Sequence, residues 1–191
     1  MKIHIMDRAK KKKFLGELEI FGMRKIPELL IRTGKERMRA FSGSLSRGEI
    51  MEIWRMFPIE GIGLYVGKDS MNRNGVREVR LSLDGIHLWK SQLKNRIVEL
   101  SEEQEVRWFL GRDVEVESDL SEGFVLVRGG EDFVGMGKLG SKTASLPDRK
   151  TCFPARPASP TRALRCQTAK GSGVRILYSF LPKERRRKER Q

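Results

Sequence analysis

From Ile62 onward the apolar residues fall into short runs with a period of two: Leu64 and Val66, then Val79, Leu81 and Leu83, then Val114 and Val116, then Phe124, Val125 and Val127, then Phe133 and Val134. Runs this short, separated by glycine-rich turns, predict strands rather than amphipathic helices. Val174, Ile176, Tyr178 and Phe180 alternate in the same way before Pro182. Asp84–Lys90 predicts a short helix and Ile97–Leu100 a further strand. Ser101-x-x-Gln104 is a capping-box pattern opening a helix that carries Val106, Trp108, Phe109 and Leu110 and stops at Gly111. Short strands with two intervening helices point to an α+β chain with a compact mixed β barrel, not to an alternating βαβ sheet.

Ahead of this region, residues 14–58 predict a small N-terminal α+β unit. Met23–Ile31 places Pro27 in a first helical turn, Arg37–Ser42 reads as a strand, and Ser46-x-x-Glu49 is a second capping box opening Ile50, Ile53, Trp54 and Phe57 at helical spacing. Residues 141–170 break the pattern with four prolines, seven Ser or Thr, seven basic residues and no Glu. Such a stretch has little to bury and reads as a basic, low-complexity insert between two strands. The expected division is therefore a basic segment 1–13, the α+β unit 14–58, a barrel over 59–140 plus 171–182, the insert 141–170 and a basic tail 183–191.

Charge follows the same division. The chain carries 39 Lys and Arg against 25 Asp and Glu, a formal +14, which favours a polyanionic partner. Residues 1–13 hold six basic and one acidic side chain, 141–170 seven and one, and 183–191 six and two. What remains has 20 basic and 21 acidic residues. Within it, 99–122 carries nine carboxylates against two arginines, a face that should not touch phosphate. The lysine run Lys10–Lys13 and the arginine-rich end tilt the reading toward nucleic acid, since each neutralised phosphate releases counterions. No apolar run approaches the ~20 residues of a membrane helix, and the opening residues lack the apolar stretch of a secretory signal. With only Cys152 and Cys166, both in the insert, a soluble protein of the reducing cytoplasm is expected, with no membrane partner.

Motifs that could carry catalysis do not assemble. Gly135-x-Gly137-x-x-Gly140 matches a dinucleotide fingerprint, but Lys142–Pro147 is a poor helix start and no βαβ unit follows. The same stretch misses a P-loop because Ser141 stands where the lysine belongs. His4 and His87 lack partners at metal-ligand or triad spacing. Glu131 and Asp132 are adjacent and point to opposite faces of a strand, so they cannot form an acid/base pair. Trp54, Phe57, Trp108 and Phe109 recur at helix spacing, as core residues do. No enzyme, cofactor or metal site is expected.

The order Phe57-Pro58-Ile59-Glu60-Gly61-Ile62-Gly63-Leu64-Tyr65-Val66-Gly67-Lys68, Arg80-Leu81-Ser82-Leu83-Asp84-Gly85, Gly130-Glu131-Asp132-Phe133-Val134-Gly135-Met136-Gly137 and Leu181-Pro182-Lys183-Glu184-Arg185-Arg186 resembles the PUA-like RNA-binding domain that follows the catalytic domain in the Nol/Nop/Sun family of RNA cytosine-5 methyltransferases. The resemblance covers roughly 60–140 and 173–187 and implies a pseudo-barrel that grips structured ribosomal or transfer RNA. The catalytic domain has no counterpart here, and of the family's paired Pro-Cys and Thr-Cys motifs only Thr151-Cys152 occurs, inside the insert. The expectation is a non-catalytic RNA-binding protein working beside a separate RNA methyltransferase or in ribosome assembly. Lys68, Arg80, Arg128, Lys138, Arg175, Lys183, Arg185, Arg186 and Arg187 are the expected phosphate anchors, with Lys68, Arg128 and Lys138 on one rim. Tyr65 is either a stacking surface or a core residue. The alternative is a protein-interaction module that docks through the acidic 99–122 face, with basic tails serving solubility.

Overall fold

Both capping boxes form and set the register of their helices. The computed structural model describes residues 3–57, 61–72, 74–140 and 174–181. Ser46 accepts from the Glu49 amide while the Glu49 carboxylate accepts from the Ser46 amide, opening α2 (Arg47–Met56). Ser101 and Gln104 do the same for α4 (Glu102–Phe109), which ends before Gly111 at φ 73°. The other α-helices among the described residues are α1 (Arg8–Leu18) and α3 (Leu83–Leu88).

Among the described residues, ten strands form two five-stranded sheets. The first contains β1 (Ile3–Ile5), β2 (Leu29–Thr33), β3 (Arg37–Phe41), β4 (Leu64–Met71) and β5 (Arg77–Leu81), in that spatial order and antiparallel throughout. The second contains β6 (Ile97–Leu100), β7 (Val114–Glu117), β8 (Gly123–Gly129), β9 (Asp132–Gly140) and β10 (Val174–Ser179), ordered β6-β8-β9-β10-β7. Among the described pairings only β6–β8 is parallel, so the barrel is mixed as expected. The glycines of the dinucleotide-like motif lie in β9, where Gly135, Gly137 and Gly140 make room for Trp108, Leu177 and Tyr178. They serve packing, and no helix follows them among the described residues. β9 and β10 pair directly, with Lys138 opposite Tyr178, so residues 141–173 join neighbouring strands. The insert itself, with Cys152 and Cys166, lies outside the described residues.

Three apolar clusters hold these layers. Between the sheets, α1, α3 and the inner face of β2–β5 pack on Leu126, Phe133 and Met136 of the second sheet. The second sheet curls around Trp108 of α4 together with Val98, Val116, Val125, Leu139 and Leu177. Trp108 is fully buried, and its indole donates to the Val134 carbonyl at 3.3 Å. The third cluster seats α2 on the outer face of β1–β3 through Ile3, Ile5, Ile31 and Ile50. Asp69, the buried carboxylate of β4, ties the first sheet together from inside: it accepts two hydrogen bonds at 2.7 Å from Arg77 of β5 and a third from Arg32 of β2. Burial pushes its carboxyl pKa up, but the two arginines outweigh that and hold it below its ordinary value.

Four expectations need correcting. Met23–Ile31 does not open a helix: residues 23–27 are irregular and Leu29 begins β2. Leu30 packs into the cluster between the sheets and Ile31 into the one under α2, which consecutive side chains achieve on a strand and not on a helix. Residues 3–13 are not a peripheral segment but form β1 and most of α1, capped by Asp7 and anchored by buried Phe14 and Leu18. Leu83 leaves the strand pattern, because Ser82 caps α3 at that point. In addition, Leu64–Leu81, read with the barrel in sequence, hydrogen-bonds to β3 and completes the first sheet.

Candidate nucleic-acid interface

The outer face of the first sheet is covered by α2 over β1–β3 and, among the described residues, open over β3–β5. In the open part Arg37, Lys68 and Arg80 stand directly opposite one another on three neighbouring strands, so all three project from the same face. Arg39 stands opposite Tyr65 on that face. Among the described residues no ion pair ties Arg37, Lys68 or Arg80 to a carboxylate. Arg39 donates to the Gly63 carbonyl at 2.8 Å. Half-buried Tyr65 has its phenol pKa pushed up by burial, against the opposing charges of Arg37, Arg80 and Arg39, and the net direction is upward. It therefore stays a neutral hydroxyl at neutral pH.

Local sequence explains why this face is held in place. Gly63 has φ 82° and lies where a Cβ would meet the Ala40 carbonyl at 2.4 Å, so only glycine lets the chain enter β4 this close to β3. At the other end, Ser82 is the N-cap of α3. Its hydroxyl donates to the Tyr65 carbonyl at 2.7 Å and accepts from the Gly85 amide at 3.1 Å. Gly85 allows α3 to rest on the β4 backbone, since a Cβ there would meet the Val66 carbonyl at 2.3 Å. The Arg80-Leu81-Ser82-Leu83-Asp84-Gly85 stretch thus places a cation, a cap and a close contact in six consecutive residues.

Between this face and the second sheet lies a cleft of about 330 Å³, lined by Tyr65, Lys68, Arg80, residues 81–84, Gly135, Met136, Phe180 and Leu181. The Arg80 guanidinium sits 5.1 Å from the ring centre of Phe180, which lies 5.9 Å from Phe124 in a tilted pair. Lys138 Nζ is 5.7 Å from the Phe124 ring and 4.0 Å from the Glu78 carboxylate. A run of cation, two aromatic rings and cation therefore crosses from β5 to β9, and such contacts hold the rings in defined orientations.

The expected anchors divide. Lys68 and Arg80 come together, and Lys138 joins them through Phe124 and Phe180. Arg128 lies elsewhere, in a groove with Lys90, Lys94 and Glu99, paired to the Glu99 carboxylate. The three-residue rim of Lys68, Arg128 and Lys138 is not assembled in one groove. Arg175 stands opposite Val116 on β7 and donates to the Ser118 carbonyl at 3.1 Å. Lys183, Arg185, Arg186 and Arg187 lie outside the described residues. Sequence reasoning missed Arg37, Arg39, Phe124 and Phe180. The signal for the two arginines was the alternation Arg37-Met38-Arg39-Ala40, which puts cations on one face of a strand and apolar side chains on the other.

Comparison with known families bears on the second sheet. Residues 95–144 match the family model of the methyltransferase RsmF PUA domain. This segment runs from just before β6 through β9 and so takes in α4 and four of the five strands of the curled sheet around Trp108. The match agrees with the resemblance carried by the glycine-rich β9 motif, and it is to a PUA domain, not to a methyltransferase catalytic domain. A search of curated proteins finds no match to the chain. Tyr65, Lys68, Arg80 and Phe180 all lie outside the PUA-like segment, whereas Phe124 and Lys138 lie within it. Among the described residues no cluster of three or more His, Cys, Asp or Glu side chains could hold a metal ion, and no helix is long and apolar enough to cross a membrane.

Proposed function

We propose that this chain binds RNA through the open face of β3–β5 and the adjoining PUA-like sheet, without catalysing a reaction itself. The observation that carries the reading is the in-register row Arg37, Lys68 and Arg80. Three cations that no carboxylate among the described residues pairs face one another across neighbouring strands, an arrangement unfavourable in the free protein and relieved by a polyanion. The PUA-like match supports RNA as that polyanion, within a methyltransferase-related setting. In this reading the RNA is a structured ribosomal or transfer RNA, and the chain serves RNA cytosine-5 methylation or ribosome assembly in the cytoplasm alongside a separate methyltransferase.

The experiment is to replace Arg37, Lys68 and Arg80 together by Ala in the full chain and titrate a labelled structured RNA. With about 1 kcal/mol for each of the three charge-assisted contacts, affinity should fall on the order of 100-fold. The slope of log K against log salt should flatten by about 0.7 per contact removed. Unchanged affinity and slope would refute the reading.

A further inference from the structure

We propose that the cleft lined by Tyr65 and Phe180 receives a single unpaired nucleobase, held there while the flanking phosphates lie on Arg37, Lys68 and Arg80. The inference rests on the RNA-binding reading above and adds the form of RNA that the site takes.

Three observations carry it. First, the cleft joins an aromatic lining to a charged border: Tyr65, Leu81, Leu83, Met136 and Phe180 supply ring and apolar surface, and Lys68, Arg80, Ser82 and the Asp84 carboxylate line it as well. A nucleotide has this same division, a flat apolar-faced base joined to a phosphate. Second, Phe180 is 40% exposed although an apolar ring gains from burial, and it is not a loose side chain, because Arg80 and Phe124 contact it. A ring already oriented loses little freedom when a base stacks on it. Third, the cleft is built on rigid pieces. Ser82 ties the Tyr65 carbonyl to the start of α3, and the Leu81 amide donates to Met136 Sδ at 3.3 Å, joining the two sheets at the floor.

A duplex cannot use such a cleft. In A-form RNA the bases are stacked and paired, and their faces are unavailable to side chains; an unpaired nucleotide in a loop, bulge or end presents its face freely. The basic row alone would bind either form through phosphates. Preference for the unpaired form is therefore the signature of the cleft and not of the charge.

The test uses the full chain, a labelled single-stranded oligoadenylate carrying one 2-aminopurine, and the duplex it forms with oligouridylate. Tyr65→Leu and Phe180→Leu should each weaken single-strand binding roughly 5- to 100-fold, the range for loss of one base–aromatic stack, while duplex affinity stays as it was. Tyr65→Phe and Phe180→Tyr keep a ring and should bind like the parent. Binding of the single strand to the unaltered chain should quench 2-aminopurine fluorescence, a readout that needs no variant to fold. Absence of quenching, or leucine variants that fold and bind the single strand as the parent does, would overturn the proposal. If the Arg37, Lys68 and Arg80 replacement still weakens both RNAs in that case, the RNA-binding reading stands and only the base cleft falls. If that replacement changes neither affinity, both fall.

Discussion

The open face of β3–β5 and the groove beside β6 and β8 both present arginine and lysine to solvent, yet the two are electrostatically different. In the groove, Arg128 is matched by Glu99 and Lys90 by Asp132, and the neighbouring helix α4 adds Glu102, Glu103 and Glu105 in its first turn. These carboxylates favour the helix N-terminus and outnumber the groove's cations Lys90, Lys94 and Arg128. On β3–β5 no carboxylate answers Arg37, Lys68 or Arg80 among the described residues, and cross-strand like charges repel. A folded chain that retains such repulsion keeps an unmet demand for negative charge. The number of basic residues does not separate these two regions, whereas their pairing does.

The largest expected effect tests whether the two regions are energetically one. Trp108 centres the barrel, and Trp108→Ala should cost about 3–5 kcal/mol, read by urea denaturation. Because Leu126, Phe133 and Met136 of the second sheet pack into the cluster shared with the first, unfolding should remain a single transition. Two separated transitions would show that the open face and the barrel fold as independent units.

Next in size is the support beneath the open face. Asp69→Asn leaves Arg32 and Arg77 without their shared anion and should cost about 3 kcal/mol, as expected for breaking a buried pair. The parent chain should show the corresponding pH dependence. Since the folded carboxyl pKa lies below its ordinary value of 3.8, the contribution is complete above that value and is lost as pH falls through the lower, folded value. Melting temperature measured from pH 7 downward should therefore drop more steeply at acid pH in the parent than in Asp69→Asn. Equal acid slopes would show that the Asp69 pair does not hold the sheet.

Two capping serines then separate stability from function. Ser101→Ala and Ser82→Ala should each cost about 1 kcal/mol. Only Ser82→Ala should also weaken RNA binding, because only that hydroxyl holds the Tyr65 carbonyl. Equal RNA affinities in the two variants would detach α3 from the site. The smallest effect has the opposite sign: Lys68→Ala removes cross-strand repulsion and should raise stability by about 0.2–0.5 kcal/mol while lowering RNA affinity. In contrast, replacing Glu102 and Glu103 by Gln should leave RNA affinity unchanged, and a drop would erase the contrast between the two regions.

Legibility in the sequence followed the reach of each signal. The two capping boxes were readable because Ser46 with Glu49, and Ser101 with Gln104, act within one helical turn. Strand β2 was not, since Leu30 and Ile31 are both buried, one on each face of a sheet covered on both sides, and no alternation survives to mark it. Helix α1 hid behind its lysines: only Phe14 and Leu18 turn fully inward, too few to show against Lys10–Lys13. Arg37 and Arg39 were overlooked for the converse reason, being spaced singly where charge was sought in runs.

Residue types and near-neighbour spacing alone determined the starts of α2 and α4, the existence of most strands, the PUA-like glycine pattern of β9 and the candidacy of Lys68, Arg80 and Lys138. These follow from hydrogen bonds and side-chain alternation within a few residues. Only the tertiary structure decided that β4 and β5 pair with β3, that Arg37 and Arg39 join the basic face, that Phe180 reaches Arg80 and Phe124, and that Arg128 is spent on Glu99. Each of these depends on which strand lies beside which, and strand partners are selected by burial of whole faces across the sheets, a quantity no local stretch of chain contains.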